Sequence, residues 1–173
     1  MRATFRTARV EDAQRLSALM RETFIAAYGH CSSPENVAAF LDMVYSTQRQ
    51  RAEIADGNVV TLIAEIDDVS WAGFAQLRFA VAAPNSVTLA CPAELGRIYL
   101  SPAYHGQGVA AGLMQRSIGI ARARGCDGLW LNVWQEAPQA IRFYGKHGFE
   151  VVGRSVFVVG VDPKDDWVMQ KAA

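Results

Sequence analysis

The chain has 173 residues, of which 51% are apolar and 20% are charged, and its 17 Lys and Arg residues balance its 17 Asp and Glu residues. This length and composition are typical of one globular domain with a core of its own and argue against a disordered chain. The zero net charge gives no overall basic field, so we expect no nucleic-acid partner.

The cysteines and the apolar runs bear on the compartment. Cys31, Cys91 and Cys126 are odd in number and scattered, with no CxxC pair and no histidine at metal-ligand spacing, which is typical of free thiols in a reducing compartment. No apolar run approaches the ~18 residues of a spanning helix, and the first residues lack the apolar segment of a signal peptide. We therefore expect a cytoplasmic protein with no metal, no membrane partner and a small-molecule substrate.

The first part of the chain predicts a short strand and two helices. Residues 3–8 alternate weakly, as in a strand. A helix that opens at Val10 carries an apolar stripe at helical spacing and ends at Gly29. Ser33 as a capping residue, with Pro34 in the first helical position, predicts a second helix.

A β-hairpin follows. Residues 59–66 and 71–81 are rich in β-branched, aromatic and other apolar residues, and each run predicts a strand. Asp67 and Asp68 have the chemistry of the turn between them. The central sheet is therefore expected to start here.

The second half alternates strands and helices. One strand ends near Ser101, an amphipathic helix covers residues 109–124, and residues 129–134 form a strand that is apolar on both parities. A helix between two strands predicts a right-handed crossover with the strands parallel and the second one central. Another helix starts at Pro138 and is closed by Gly148.

Two more strands complete the predicted sheet. They cover residues 149–159 and 166–172, around a turn at residues 162–164. The chain shows no repeat, low-complexity run or linker. We therefore predict a single mixed α/β (α+β) domain over residues 1–173, with about seven strands.

The stretch between the predicted strand and helix of residues 93–124 has the features of an anion site. Gly106 and Gly108 let backbone N–H groups point inward with no Cβ in the way. The first N–H groups of a helix lack intrahelical partners, and the helix dipole adds partial positive charge there. We expect the phosphates of a cofactor at residues 106–111.

These glycines fit two other phosphate-binding patterns less well. A nucleotide-triphosphate loop needs Lys followed by Ser or Thr, which this stretch lacks. Gly106, Gly108 and Ala111 fit a loose dinucleotide pattern, but about five residues separate them from the strand, and residues 129–134 supply no acidic ribose ligand. Glycines that only shape a turn remain an alternative.

Residues 98–110 resemble the acyl-coenzyme A signature of the GNAT N-acetyltransferase superfamily, written Q/R-x-x-G-x-G/A, with His105 in place of the first Gln or Arg. The resemblance implies a GNAT fold with helices on both faces of the sheet, and acetyl-coenzyme A as co-substrate. It places the pyrophosphate on Gly106, Gln107, Gly108, Val109, Ala110 and Ala111, and the pantetheine arm along the main chain of Ile98, Tyr99 and Leu100.

Residues 140–149 are similar to a second signature of this family, A-I-x-x-Y-x-x-x-G-F. It places Tyr144 as the general acid that protonates the departing sulfur. A phenol of pKa ~10 can protonate a thiolate whose conjugate acid has a pKa of ~8.5 when it is held within hydrogen-bond reach. By itself, a Tyr on an apolar helix stripe is more typical of packing at the core edge.

Further coenzyme contacts are less well marked. The family often has Asn at the start of this helix, where this chain has Ala137, so Asn132 and Gln135 are candidates to replace that contact. Lys146 could meet a coenzyme phosphate, although an exposed Lys late in a helix also suits the helix dipole.

The acceptor must lose a proton, because a free alkylammonium has a pKa of ~10.4. Glu94 is the candidate base, and a period of two places it on the strand face of Gly96 and Ile98. Several family members carry Glu at the position of Gly96. Glu94 is therefore expected to act through water, or Tyr99 or Asn132 to hold that water.

No covalent mechanism is indicated. His30, His105 and His147 share no spacing that implies a metal, and Ser33 and Ser101 show no triad pattern. We therefore expect direct transfer of the acetyl group without an acyl-enzyme.

Residues 132–136, 153–160 and 165–169 look more loosely like the branch of the family that contains bacterial polyamine acetyltransferases. This implies a polyamine acceptor whose ammonium groups meet carboxylates and aromatic faces. The candidates are Glu35, Asp42 and Glu94, and Tyr28, Trp71 and Trp134.

Two other functions remain open from the sequence. One is a protein or peptide N-terminal acetyltransferase. The other is a non-catalytic coenzyme A-binding sensor, in keeping with His105, Gly96 and Ala137 at positions where the family pattern differs. The protein is expected to be a monomer or a homodimer.

Overall fold

A computed structural model describes residues 3–66 and 70–173, so the turn predicted at Asp67 and Asp68 lies outside the described residues. The elements in chain order are β1 (Thr4–Thr7), a 3₁₀ turn (Val10–Asp12), α1 (Ala13–Tyr28), α2 (Pro34–Val44), α3 (Thr47–Ala55), β2 (Val59–Glu65), β3 (Trp71–Arg78), β4 (Pro92–Leu100), a second 3₁₀ turn (Pro102–Tyr104), α4 (Val109–Ala123), β5 (Gly128–Trp134), α5 (Pro138–Lys146), β6 (Glu150–Val159) and β7 (Asp162–Ala172).

All seven strands form one mixed sheet. Their order is β1-β2-β3-β4-β5-β7-β6, and every neighbouring pair is antiparallel except β4 and β5, which are parallel. The predicted strand–helix–strand unit with parallel strands is thereby confirmed, as is the α/β class.

Two apolar cores lie on opposite faces of this sheet. One packs α4 and α5 against the strands and contains fully buried Leu113, Met114 and Leu131. The other packs α1 and α2 against the strands around Leu16 and Phe74. Helices therefore cover both faces.

Helix α3 was not predicted from the sequence. Its start is capped by Ser46, whose hydroxyl accepts a hydrogen bond from the Arg49 amide at 3.2 Å. The residues that it buries are Gln50 and Glu53, so it has no apolar stripe to reveal it. Polar partners of Glu53 hold this helix in place.

The turn between β6 and β7 differs from the prediction. It lies at Gly160, whose φ of 64° suits glycine, and not at residues 162–164. Asp162 and Lys164 instead open β7, where they form an ion pair at 2.8 Å.

A β-bulge in β4 changes which side chains share a face. In β3, Gln76 is paired with Arg97 of β4, and the next two residues, Leu77 and Arg78, are paired with Leu95 and Glu94. Gly96 is therefore the extra residue in β4. Partners in a ladder point to the same side. The side chains of Glu94, Arg97 and Tyr99 therefore share one face of the sheet, the face that α1 and α3 cover.

Strands β4 and β5 are paired only at their beginnings. The register joins Pro92 to Gly128, Ala93 to Leu129 and Glu94 to Trp130. Beyond Glu94 the two strands separate. An opening is thus built into the middle of the sheet.

Candidate active site

A cleft of about 1130 Å³ lies at the opening between β4 and β5, with walls from α1, α3, α4, α5 and β7. It brings together most of the predicted site residues. These are Glu94, Ile98, Tyr99, Leu100, Gly106, Gly108, Val109, Ala110, Ala111, Asn132 and Tyr144. Gln107 and Lys146 do not line it.

One end of the cleft is the glycine turn before α4, which we call the coenzyme end (residues 105–111). Gly106 and Gly108 have φ of 74° and 79°, and nothing lies within 4 Å of where their Cβ atoms would be. The amide of Gly112 donates to the Gly108 carbonyl at 3.0 Å, so the amides ahead of it precede the helical ladder. This open cradle at a helix start fits the phosphates of a coenzyme.

Two side chains of this turn are held by its own backbone. Gln107 donates its Nε2 to the carbonyl of Ala103 at 2.9 Å, and its side chain does not line the cleft. The Nε2 of His105 lies 3.4 Å from the carbonyl of Leu100, and His105 lines the cleft. The position that departs from the family signature therefore rests against the end of β4.

The phenol of Tyr144 lies at the wall formed by α5. Its ring packs edge-on against Phe143 and Phe149, with centroid distances of 5.5 and 5.7 Å. Burial raises the pKa of Tyr144 well above its ordinary value, and nearby Tyr28 adds to the shift. Tyr144 therefore remains protonated at neutral pH and can act only as a proton donor there.

Aromatic rings line the α1 side of the cleft. Tyr99 stacks on Phe74 at 5.7 Å, and Tyr28 meets both Tyr99 and Trp134, at 5.9 and 6.1 Å. Trp71, which was predicted to join them, lies elsewhere. The guanidinium of Arg15 covers its ring at 4.0 Å.

Two of the three carboxylates predicted to meet a polyamine are also outside the cleft. Glu35 is exposed in the first turn of α2. Asp42 forms a surface ion pair with Arg21 at 2.9 Å, and its side chain is 73% exposed. Only Glu94 of the three lines the cleft.

Glu94 lies on a different face from the one predicted. The bulge at Gly96 sets it on the side of Arg97 and Tyr99, and Ile98 and Leu100 point to the other side. Burial raises the pKa of Glu94, against the opposing influence of Arg78 and Arg97.

Three guanidinium groups converge on one buried carboxylate, a set that we call the arginine cluster (Arg49, Arg78, Arg97 and Glu53). The arginines reach Glu53 at 2.9, 3.2 and 2.8 Å. Burial opposes the charge on Glu53, but attraction to Arg97 and hydrogen bonds from Arg97 and Gln76 hold its pKa below the ordinary value. The sequence signal for this cluster was polar residues, Gln76 and Arg97, inside otherwise apolar strands.

Asp166 is a second carboxyl group that sequence reasoning missed. It lies on β7 opposite Trp134, lines the cleft and is only 5% exposed. Burial, with a smaller contribution from Asp165, raises the pKa of Asp166 to about 7. A carboxyl group with that pKa can exchange a proton near neutral pH.

Across residues 3–66 and 70–173, no group of three or more His, Cys, Asp or Glu side chains is placed to hold a metal ion. Within the same ranges, no helix combines the length and apolar character needed to cross a bilayer.

Comparisons with known proteins agree with this geometry. The model of the Acetyltransferase (GNAT) family matches residues 14–149. An uncharacterized N-acetyltransferase of Mycobacterium tuberculosis is 34% identical over 158 residues, which cover 91% of this chain and 96% of that protein. An uncharacterized N-acetyltransferase of Lactobacillus delbrueckii subsp. lactis is 29% identical over 167 residues, covering 94% and 92%. Among solved structures, the PaiA N-acetyltransferase of Thermoplasma acidophilum in complex with coenzyme A has a TM-score of 0.80 at 24% identity, over the whole of both chains.

Proposed function

Because this chain belongs to the GNAT family of acetyltransferases, we propose that it transfers the acetyl group of acetyl-coenzyme A to the nitrogen of an amine by direct attack. The observation that carries the proposal is the opening between β4 and β5, which connects the cradle of open amides to the buried phenol of Tyr144.

The coenzyme would be held mostly by main-chain groups. Amides of residues 106–111 would bind its diphosphate, since they lie ahead of the first helical hydrogen bond of α4 and the space beside Gly106 and Gly108 is open. The unpaired edge of β4 at residues 98–100 would bind the pantetheine arm as an added strand. Asn132 lines the same opening. A phosphate contact from Lys146 stays a prediction. Its side chain is exposed and does not line the cleft.

The transfer needs an acid for the leaving group. The amine nitrogen attacks the acetyl carbon, the C–S bond breaks, and the sulfur takes a proton as the free thiol forms. Tyr144 is the proposed donor, because burial keeps its phenol protonated and it lines the cleft. The arm would bring the sulfur to it.

The transfer also needs a base for the attacking nitrogen, and two carboxyl groups are candidates. Glu94 pairs with Trp130 at the closed start of the opening, so it would act through water. Asp166 pairs with Trp134, four residues further along β5, which is ~13 Å at about 3.3 Å per residue. Asp166 therefore lies level with the stretch of β4 proposed to bind the arm.

The geometry offers little support for a polyamine acceptor. Such a substrate carries several ammonium groups, and two of the three carboxylates expected to meet them, Glu35 and Asp42, lie outside the cleft. The arginine cluster adds positive charge to the same wall. That wall would repel an ammonium group, whereas Glu136 and Asp166 elsewhere in the cleft lining would attract one.

Two measurements on the intact protein test the proposal. Acetyl-coenzyme A should raise the melting temperature, and free thiol should then appear when amines are supplied. Stabilisation without thiol release for any amine would indicate a coenzyme sensor, and stabilisation by a nicotinamide dinucleotide instead would contradict the coenzyme assignment.

Tyr144→Phe tests the acid. It should lower kcat by about 10²–10⁴-fold with coenzyme affinity unchanged, because only the proton donor is lost. Tyr104→Phe is the matched control, since it removes a phenol oxygen from the lining of the same cleft, in the 3₁₀ turn before the coenzyme end. Equal kcat in Tyr144→Phe and the wild type would exclude this role.

A further inference from the structure

The arginine cluster carries more positive charge than its structural bonds require. Three guanidinium groups surround the single carboxylate of Glu53, which leaves two positive charges. Glu94, on the same face, removes at most one of them when it is ionised. The wall of the cleft formed by α3, β3 and β4 is therefore positive.

The three arginines have different roles in this wall. Arg97 is 9% exposed, gives one nitrogen to both Glu53 and Gln76, at 2.8 Å each, and lies over the ring of Tyr45. These contacts make Arg97 part of the folded core. Arg97 lines the cleft as well, but because it is only 9% exposed we assign it a structural role.

Arg49 and Arg78 instead keep donors for the cleft. In the described chain, the side chain of Arg49 bonds through Nε alone and that of Arg78 through Nη2 alone. Each guanidinium has five N–H donors, and both side chains line the cleft, 56% and 27% exposed. Burial and the neighbouring Arg97 lower the pKa of Arg78, so a bound anion would stabilise the charged form of this guanidinium.

The position of Arg78 sets the distance to the reaction. Its Nε lies 3.5 Å from where a Cβ of Gly96 would be. Gly96 is two residues before Ile98, which is ~7 Å along a strand at about 3.3 Å per residue. An anionic group bound at Arg78 could thus belong to the same small molecule as an amine that attacks a thioester beside Ile98, with only a few covalent bonds between the two groups.

We propose that Arg49 and Arg78 form an anion subsite for the acceptor, and that the acceptor is a small amine carrying a carboxylate, as in a free amino acid. The inference rests on the proposed function and names its substrate class. Planar guanidinium groups recognise carboxylates through paired, charge-assisted hydrogen bonds. The coenzyme phosphates would be held at the other end of the cleft, by the start of α4.

Matched substrates test the inference on the wild-type protein with saturating acetyl-coenzyme A. The panel consists of the proteinogenic amino acids, their amides, the corresponding decarboxylated amines, and spermidine, with thiol release as the readout. At least one amino acid should show a kcat/KM ten or more times that of its own amide. If an amide, a decarboxylated amine or spermidine has a kcat/KM equal to or above that of the best amino acid, the inference is overturned and the acetyltransferase proposal is left intact.

Arg49→Gln tests the subsite itself, because Arg49 is the more exposed of the two arginines. It should raise KM for the amino acid about tenfold or more and leave kcat, coenzyme affinity and the KM of the amide within about twofold. Arg51→Gln is the matched control on the same helix, where Arg51 is exposed and does not line the cleft. Equal KM values in Arg49→Gln and Arg51→Gln would overturn the inference.

A binding measurement tests the subsite in the case where the protein acetylates no amine of the panel. If no amine releases thiol, the melting temperature of the complex with coenzyme A is recorded with each amino acid and each amide. Stabilisation by an amino acid that is absent in Arg49→Gln supports the subsite, and equal shifts for acids and amides overturn it.

Discussion

The two ends of the cleft are built by different means. The coenzyme end comes from one contiguous stretch, and its polar groups are main-chain amides exposed by Gly106 and Gly108. The acceptor end, formed by Arg49, Arg78, Glu94 and Asp166, is assembled from side chains of α3, β3, β4 and β7, which are far apart in sequence. A site built of backbone depends on local conformation, whereas a site built of side chains depends on the whole tertiary fold and can change its specificity residue by residue.

The largest expected effect falls on the acceptor end. Glu53→Gln leaves three guanidinium groups without their shared carboxylate, and breaking a buried ion pair typically costs about 3–5 kcal/mol of unfolding free energy. Chemical denaturation of the variant measures the loss. The contrast between the two ends predicts that acetyl-coenzyme A still stabilises whatever fraction remains folded.

Asp42→Asn is the control for this variant. It also removes one carboxylate from an arginine, Arg21, but the pair is exposed and should contribute about 1 kcal/mol or less. Equal losses in the two variants would mean that the arginine cluster does not hold α3 in place.

A smaller effect is expected at the coenzyme end. Gly108→Val forces a β-branched residue to a φ of 79°, which costs about 1–3 kcal/mol of backbone strain if the turn is kept. Relief of that strain would turn the amides away, so coenzyme affinity should fall about tenfold or more in calorimetric titration. The KM ratio between an amino acid and its amide should not change.

Gly119→Ala is its matched control. Gly119 lies inside α4 with open space around it, so the change should add about 0.5–1 kcal/mol of stability and leave coenzyme binding unchanged. Wild-type coenzyme affinity in Gly108→Val would show that the glycines only shape a turn.

The smallest expected effect sharpens the role of Asp166. A base must be deprotonated, so with a pKa of about 7 the rate should rise about tenfold between pH 6 and pH 8. Asp166→Asn should abolish this rise and Glu94→Gln should keep it. The opposite pattern in kcat–pH profiles would assign the base to Glu94.

Much of the fold could be predicted from local sequence. All seven strands, the glycine turn and the helix that carries Tyr144 follow from periodicity, punctuation by Gly and Pro, and resemblance to the GNAT family. These features depend on a few neighbouring residues. For the same reason, the candidate coenzyme end was found from the sequence.

The parts that were missed depend on contacts between distant residues. Helix α3 buries Gln50 and Glu53, which no apolar stripe announces. The bulge at Gly96 interrupts the alternation of side chains between the two faces of β4. An uninterrupted alternation therefore placed Glu94 on the wrong face. The arginine cluster and Asp166 likewise become a site only when strands that are far apart in the chain meet.

The short pairing of β4 with β5 has a consequence for thermal behaviour. Three residue pairs join a four-stranded half of the sheet to a three-stranded half. A coenzyme arm lying along β4 would close this seam, and a ligand at a hundred times its dissociation constant adds about 2.7 kcal/mol to the folded state. The heat resistance of this protein in a cell would therefore vary with the supply of one metabolite.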